Sequence, residues 1–555
     1  MYISIKNNIV KSISTKIYEI SDSKLIHSFD FNKLSKREIN NLINFKNDKE
    51  LTDIFVDSSF LIEDKFSRKV TFFRDWPGNN QTFYFYDKPN NIFFLSDSID
   101  EIAQNVNNVK LSDKGVRLFL NERKHFHSFT IYENIFMLHP GLKIILDLNN
   151  FEISIEPWYT PFKNISIRNF KLGKVNYLNA IDDSLIKNIG KNKNIAIMFS
   201  GGSDSCFILW RLINLGFKNF DLFTICVKGE KITNNFAVDN ARLFGYETNL
   251  IQIDKNGLFK KWKDVLSISY NYLSDMRING MFAPSFDVIQ YLKKYYKNEK
   301  CTIVWGSQYS LISPVITTKA IFFKIFPVYF FSFFIKFGIF KSFFENLSIR
   351  AIRSHMLSKK IMHKESRTAF IKLYKSSFKK TRNFDQLINL FLSTDYNHLK
   401  HWWMDWRNKM CLKYYSNATN VYPFHDRKFQ ETTMQFSFLL RIGGLINLFR
   451  MPSSYKIFFY ALFPNNLEIH KLKKGNVKAL SEWQSLYRHN NFYEELKKEI
   501  NYNDTNNISF KIFKQNNIVF PDSYEKFKKL SSKDLEKISG VFYILLRIKN
   551  DKITI

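Results

Sequence analysis

An α/β protein is predicted, in which an antiparallel, β-rich first part precedes a parallel-sheet α/β part with a helical C-terminal portion. Three patterns predict it. Short aromatic strand-like runs separated by turn residues fill the chain to about residue 160. Strand and helix periods alternate from about residue 175 to residue 305, and the apolar spacing is largely helical from about 344 to 500. At 555 residues the chain exceeds one ordinary core. Two or three domains of roughly 100 to 250 residues each are expected.

The elements follow in order. Thr82-Phe83-Tyr84-Phe85-Tyr86 and Ile92-Phe93-Phe94-Leu95 flank the turn-forming Asp87-Lys88-Pro89-Asn90-Asn91, which predicts a hairpin. His139-Pro140-Gly141 separates two more strand-like runs, 131–138 and 143–148, so the first part reads as an antiparallel sheet region. The period then changes. A helix over 175–189, a strand over 195–199, a helix over 205–215, a strand over 220–227 and a helix near 235–244 form a βαβ series. Strands over 249–253 and 302–305 continue it, which predicts a parallel sheet with helices on both faces. The Lys-rich C-terminal stretch reads as a mixed αβ tail with no place in this scheme.

Composition excludes disorder: 45% hydrophobic residues, 17% of the chain aromatic and 58 phenylalanines supply ample apolar surface for large cores. Basic residues outnumber acidic ones 82 to 51, a formal charge of +31 that would suit a polyanionic partner. The lysines, however, are scattered through every segment alongside abundant Asn, Ile and Phe, as an AT-rich coding sequence would produce. A nucleic-acid partner is therefore not expected. Cys206, Cys226, Cys301 and Cys411 form no C-x-x-C pair, which argues against a zinc knuckle or a disulfide framework and for a reducing compartment. The N-terminus carries Lys6, Lys11 and Lys16 among its apolar residues and no continuous signal segment, so a cytoplasmic protein is expected. Residues 320–344 nearly match a bilayer span but are interrupted by Lys324, Pro327, Lys336 and Lys341. A buried helix is the expectation there, with a membrane surface or a maturation complex as the alternative contact.

The segment that carries chemistry is Ser200-Gly201-Gly202-Ser203-Asp204-Ser205, between a predicted strand and a predicted helix. Two glycines let the backbone turn tightly at a strand end, and the following helix aims its N–H groups and positive dipole end at the same point. That arrangement suits a phosphate. Ser200, Ser203 and Ser205 add hydroxyls, and Asp204 offers a hard oxygen for Mg²⁺. A serine-rich helix N-cap would use the same residue types.

The loop resembles the pyrophosphate-binding loop of the ATP-pyrophosphatase superfamily. The order of motifs around it resembles asparagine synthetase and its relatives. Arg74-Asp75-x-x-Gly78 with Phe83-Tyr84-Phe85-Tyr86 is similar to that family's RD-x-x-G and YY element; Leu95-Ser96-Asp97, His139-Pro140-Gly141 and Trp158-Tyr159 continue the likeness. Pro423-Phe424-His425-Asp426 resembles its PF-x-D box. The resemblance spans about 400 residues. It implies a degenerate N-terminal-nucleophile amidotransferase-like domain over 1–165, an adenine-nucleotide hydrolase-like synthetase domain over 170–500 and a C-terminal extension over 501–555. It also implies that Ser200 to Ser205 bind the pyrophosphate of ATP with Asp204 on Mg²⁺. Ile225, Cys226 and Val227 would border adenine, Gly306 would lie beside the nucleotide, and Lys473 would be the catalytic cation facing the developing phosphate charge.

Two departures shape the expected activity. Glutamine-hydrolysing members carry a cysteine after the initiator Met; here position two is Tyr2, and no cysteine precedes Cys206, so ammonia release from glutamine is not expected. The family's second acidic box is also absent, because the strand ending at Trp305 runs into Gly306-Ser307-Gln308-Tyr309-Ser310-Leu311. Asp275, Asp287 and Asp426 are candidate substitutes, each read more readily as an ordinary helix cap or surface carboxylate. The leading expectation is an ATP-dependent amide-forming ligase that adenylates a carboxylate and passes it to an amine, on a precursor peptide or specialised metabolite, as in the lasso-peptide cyclases and β-lactam synthetases that lack glutaminase chemistry. The alternatives are an ammonia-dependent asparagine synthetase, a catalytically degenerate nucleotide-binding or scaffold protein, and a tRNA-modifying adenylating enzyme.

Overall fold

The computed structural model describes residues 2–28, 59–159, 167–253, 282–306, 407–440, 490–499 and 508–550, apart from short breaks within these ranges. The first part holds two antiparallel sheets. One has the order β2-β1-β8-β7-β9, from β1 (Tyr2–Lys6), β2 (Ile9–Ile13), β7 (Phe83–Asp87), β8 (Ile92–Ser96) and β9 (Ile135–Met137). The other has the order β11-β10-β6-β5-β4-β3, from β3 (Lys16–Ser21), β4 (Lys24–Ser28), β5 (Phe60–Asp64), β6 (Lys69–Phe73), β10 (Leu142–Asp147) and β11 (Glu152–Pro157). The expected hairpin is present, with Phe85 opposite Phe94.

Its unbroken aromatic run has a physical reason, since side chains alternate across a strand and both faces of this sheet are covered. Tyr84, Phe93 and Leu95 join Phe72, Leu142, Ile144 and Leu146 in the core between the sheets. Phe83, Phe85 and Phe94 face the other way, into a second core with α1 (Ile99–Asn105) and α2 (Asp113–Glu122). His139-Pro140-Gly141 does not close a hairpin. It carries the chain from β9 in one sheet to β10 in the other, with Gly141 at φ 71°, a left-handed value that favours glycine.

The second part is a five-stranded, wholly parallel sheet of order β14-β13-β12-β15-β16. Its strands are β12 (Asn194–Met198), β13 (Asp221–Val227), β14 (Thr248–Ile253), β15 (Cys301–Trp305) and β16 (Ala418–Val421). Helices α3 (Phe170–Ile189), α4 (Ser203–Asn214), α5 (Ile232–Leu243) and α7 (Arg427–Met434) pack on one face. The other face is covered by α6 (Phe282–Tyr295) and the helical residues around Met410 and Cys411. The strand β16 is an exception within 344–500, where the expectation is largely helical. Four residues, Ala-Thr-Asn-Val, are too few to show a period, and only pairing with β15 makes them a strand.

The helix expected up to about residue 500 includes α8 (Asn490–Glu499). The mixed αβ expectation for the stretch after it is corrected: its described elements are the helices α9 (Ile508–Gln515), α10 (Tyr524–Lys528) and α11 (Ser532–Asn550). They return to the first part, where Phe513, Phe527, Ile538, Val541 and Phe542 share one core with Phe83, Phe119 and Leu120. Among the described residues, no helix is long and apolar enough to cross a membrane, and residues 320–344 lie outside them.

Candidate functional site

The candidate site lies where the parallel sheet reverses its strand order. From β12 the chain winds outward one way to β13 and β14, and the other way to β15 and β16, so β12 and β15 are the neighbours at the switch point. In open α/β sheets, ligands bind in the crevice beyond the carboxyl ends of the strands at such a point. Ser200 to Ser205 occupy that end of β12. Gly201 is at φ 68°, and Gly202 caps α4 at φ −69°, ψ 160° with no side-chain hydrogen bond at the cap. The helix therefore presents its first turn toward the crevice, an arrangement able to receive an anion.

The loop is internally braced. The Ser205 hydroxyl donates to the Gly202 carbonyl at 3.0 Å, the Ser200 and Ser205 hydroxyls lie 3.3 Å apart, and the Gly202 N–H donates to the Ser200 hydroxyl at 3.3 Å. Beneath it, the Asn240 amide donates to the Gly201 carbonyl at 2.8 Å and the Thr224 hydroxyl to the Phe199 carbonyl at 2.6 Å. Ser200 is exposed, Gly202, Ser203 and Asp204 are half-buried, and Gly201 and Ser205 are buried. Asp204 stands in the first turn of α4, where its charge favours the positive helix end. Burial and the Asp204 carboxylate together push the Cys206 thiol up to about 12 and raise the Tyr177 phenol, so both stay neutral beneath the loop.

Gly306 follows β15 directly beside α4. A Cβ at this position would lie 2.7 Å from the Ser205 Cα, so only glycine allows the close approach. Ile225, Cys226 and Val227 form the end of β13. The last β12–β13 pair is Met198 with Phe223, and β13 runs four residues further, paired to β14 up to Val227 with Ile253. The expected loop, Gly306 and the β13 end are thus gathered at one edge of the sheet.

The Pro423-Phe424-His425-Asp426 box follows β16 at the same edge. Phe424 stacks on Phe207 of α4 with ring centroids 6.1 Å apart. Asp426 is a helix cap: its carboxylate accepts from the Lys428 N–H at 2.9 Å and lies 3.7 Å from the Lys187 ammonium. Asp287 lies half-buried on α6. Lys473, Asp275, Gln308 and Ser310 lie outside the described residues. Among the described residues, no group of three or more His, Cys, Asp or Glu side chains gathers as a metal site, and all four cysteines are free and buried.

In the first part, three separated motifs converge. The Trp158 indole N–H donates to the Arg74 carbonyl at 2.8 Å, the Gly141 N–H to the Asp75 carbonyl at 3.2 Å, and the Ser59 hydroxyl to the Asp75 carboxylate at 2.9 Å. Burial, with the neighbouring Arg74 charge, pushes the His139 imidazole down to about 3. Tyr2 begins β1, opposite Ser96 of β8.

Three residues at the parallel sheet escaped the sequence reading. Asn240 and Thr224 support the loop from neighbouring elements. Arg407 lies with its guanidinium 3.6 Å from the centroid of the Trp305 ring, and burial pushes it down to about 10. None belongs to a local motif; polar residues within the apolar patterns around 224 and 240 were the available signal. No protein-family model matches the chain, and a search of curated proteins finds no similar one.

Proposed function

We propose that the chain is an ATP-dependent, AMP-forming carbon–nitrogen ligase. The observation that supports this best is the position of Ser200 to Ser205: a glycine turn at the switch point, at the carboxyl end of β12 and the N-terminus of α4. In this reading the loop and the first turn of α4 hold the β and γ phosphates. Asp204 and phosphate oxygens hold Mg²⁺, and the β13 end borders adenine.

A substrate carboxylate oxygen attacks the α phosphorus, the bond to the β-phosphate oxygen breaks, and pyrophosphate leaves with that electron pair. An amine nitrogen then attacks the acyl carbon, the acyl–oxygen bond to AMP breaks, and the nitrogen loses a proton. Loop donors aimed at the departing pyrophosphate lower the barrier of the first step. The amine is part of the substrate, a peptide or specialised metabolite, because the first part offers no thiol for glutamine hydrolysis.

Calorimetric titration with Mg·ATP, followed by pyrophosphate release in the presence of candidate peptide carboxylates, tests the proposal. Wild type should bind Mg·ATP, and Asp204→Asn should release pyrophosphate at least tenfold more slowly. Equal release by both proteins would overturn the ligase reading. A second reading, a nucleotide binder without turnover, is favoured by the acid-free stretch 306–311. Tight Mg·ATP binding with no pyrophosphate under any substrate would select it.

A further inference from the structure

We propose that Asn240 is a positioning residue for phosphate: its buried amide fixes the Gly201–Gly202 peptide so that the Gly202 N–H faces the ligand side of the loop. The inference rests on the nucleotide reading above and adds a residue to it.

Asn240 sits on α5 between Ala237 and Ala241, both packed in the core between the sheet and its helices, and its own exposure is 0%. An apolar residue would suit that position, since burying an amide is costly without hydrogen bonds. The Asn240 Nδ2 donates to the Gly201 carbonyl at 2.8 Å, and the Cys206 thiol approaches the same oxygen at 3.4 Å. In a planar trans peptide the C=O and the next N–H point in opposite directions. Holding the Gly201 carbonyl inward therefore turns the Gly202 N–H outward, toward the exposed Ser200 hydroxyl at 3.3 Å.

A peptide between two glycines needs such a lock. Neither side has a Cβ to restrict rotation, so the Gly201–Gly202 unit turns over easily, and Gly201 already stands at φ 68°. Turned over, it would present a carbonyl oxygen to the phosphate in place of an N–H. The Asn240 amide makes that orientation costly, because this 2.8 Å hydrogen bond would be lost.

Binding of three probes to the full chain tests this by calorimetry: Mg·pyrophosphate, Mg·ATP and adenosine. Asn240→Leu, which keeps the branched side-chain shape and removes both polar atoms, should weaken Mg·pyrophosphate and Mg·ATP at least tenfold and by a similar factor. Adenosine affinity should stay within twofold. Should Asn240→Leu fail to fold by circular dichroism, Asn240→Ala is read for the same split. Unchanged phosphate affinity in a folded variant would overturn the proposal while leaving the nucleotide site standing. So would equal loss of all three ligands, which marks a merely structural residue. Wild type that binds none of the three would remove the nucleotide reading itself, and this inference with it.

Discussion

Gly306 and Ser205 meet backbone to backbone across the switch point: a Cβ on the glycine would lie 2.7 Å from the serine Cα, 3.1 Å from its Cβ and 3.2 Å from its nitrogen. The atoms in the way belong to the first turn of α4, not to the end of a flexible side chain. Gly306→Ala must therefore displace β15 or the loop. A cost of roughly 1–3 kcal/mol in stability is expected, measured by denaturant unfolding. If the loop binds nucleotide as proposed, its displacement also lowers Mg·ATP affinity, read by calorimetry. Wild-type stability in the variant would refute the close approach.

The Tyr159 phenol donates to the Glu431 carboxylate, which also accepts from Arg427 at 2.7 Å. Burial and the Glu431 charge raise the phenol, so it remains a donor throughout the neutral range. This contact ties the end of the first part to α7, directly after the Asp426 cap. Tyr159→Phe leaves Glu431 paired with Arg427, so a modest loss of about 1 kcal/mol is expected. A double-mutant cycle with Glu431→Ala should give a coupling between about 0.5 and 2 kcal/mol. Additive effects would show that the bond carries no energy.

His139 predicts an acid limb in the stability curve. Its folded imidazole is held down at about 3, below the ordinary value of 6.5, so the unfolded chain binds a proton that the folded chain refuses. Stability is fully present above about pH 6.5 and falls as the pH drops toward 3, with a slope of at most about 1.4 kcal/mol per pH unit. Urea unfolding between pH 4 and 7 should reveal this slope, and His139→Leu should flatten it. An unchanged slope in the variant would assign the acid sensitivity to other groups.

Deletion of residues 508–550 should leave the first part insoluble. The deletion strips Phe513, Phe527, Ile538, Val541, Phe542 and Ile544 from the core they share with Phe83 and Phe119. Each buried side chain is worth about 1.5–3 kcal/mol, and together they match a domain's whole margin of about 5–15 kcal/mol. Soluble expression, cooperative unfolding and no binding of a hydrophobic dye would contradict the shared core.

The helices and strands of the βαβ series were legible because each carries its own period. The helix expected over 205–215 is found over Ser203–Asn214, and the strand expected over 220–227 over Asp221–Val227. The hairpin around Asp87–Asn91 was legible from its turn residues. Less visible was the strand Ala418–Val421, whose partner lies more than a hundred residues earlier in β15. The homes of the C-terminal helices were equally hidden, since a helix's apolar face does not name the surface it will cover.

By itself, the sequence determined an α/β chain with an antiparallel first part, a parallel sheet after it and a glycine-serine turn at the end of one strand. Local periodicity and backbone freedom are properties of neighbouring residues, so they can be read in one dimension. Only the tertiary structure decided that this turn stands at the switch point, that Gly306 closes on Ser205, and that Asn240 reaches the Gly201 carbonyl from another helix. Those relations join residues 39 or more positions apart, and packing distance, which no local pattern encodes, is what creates them.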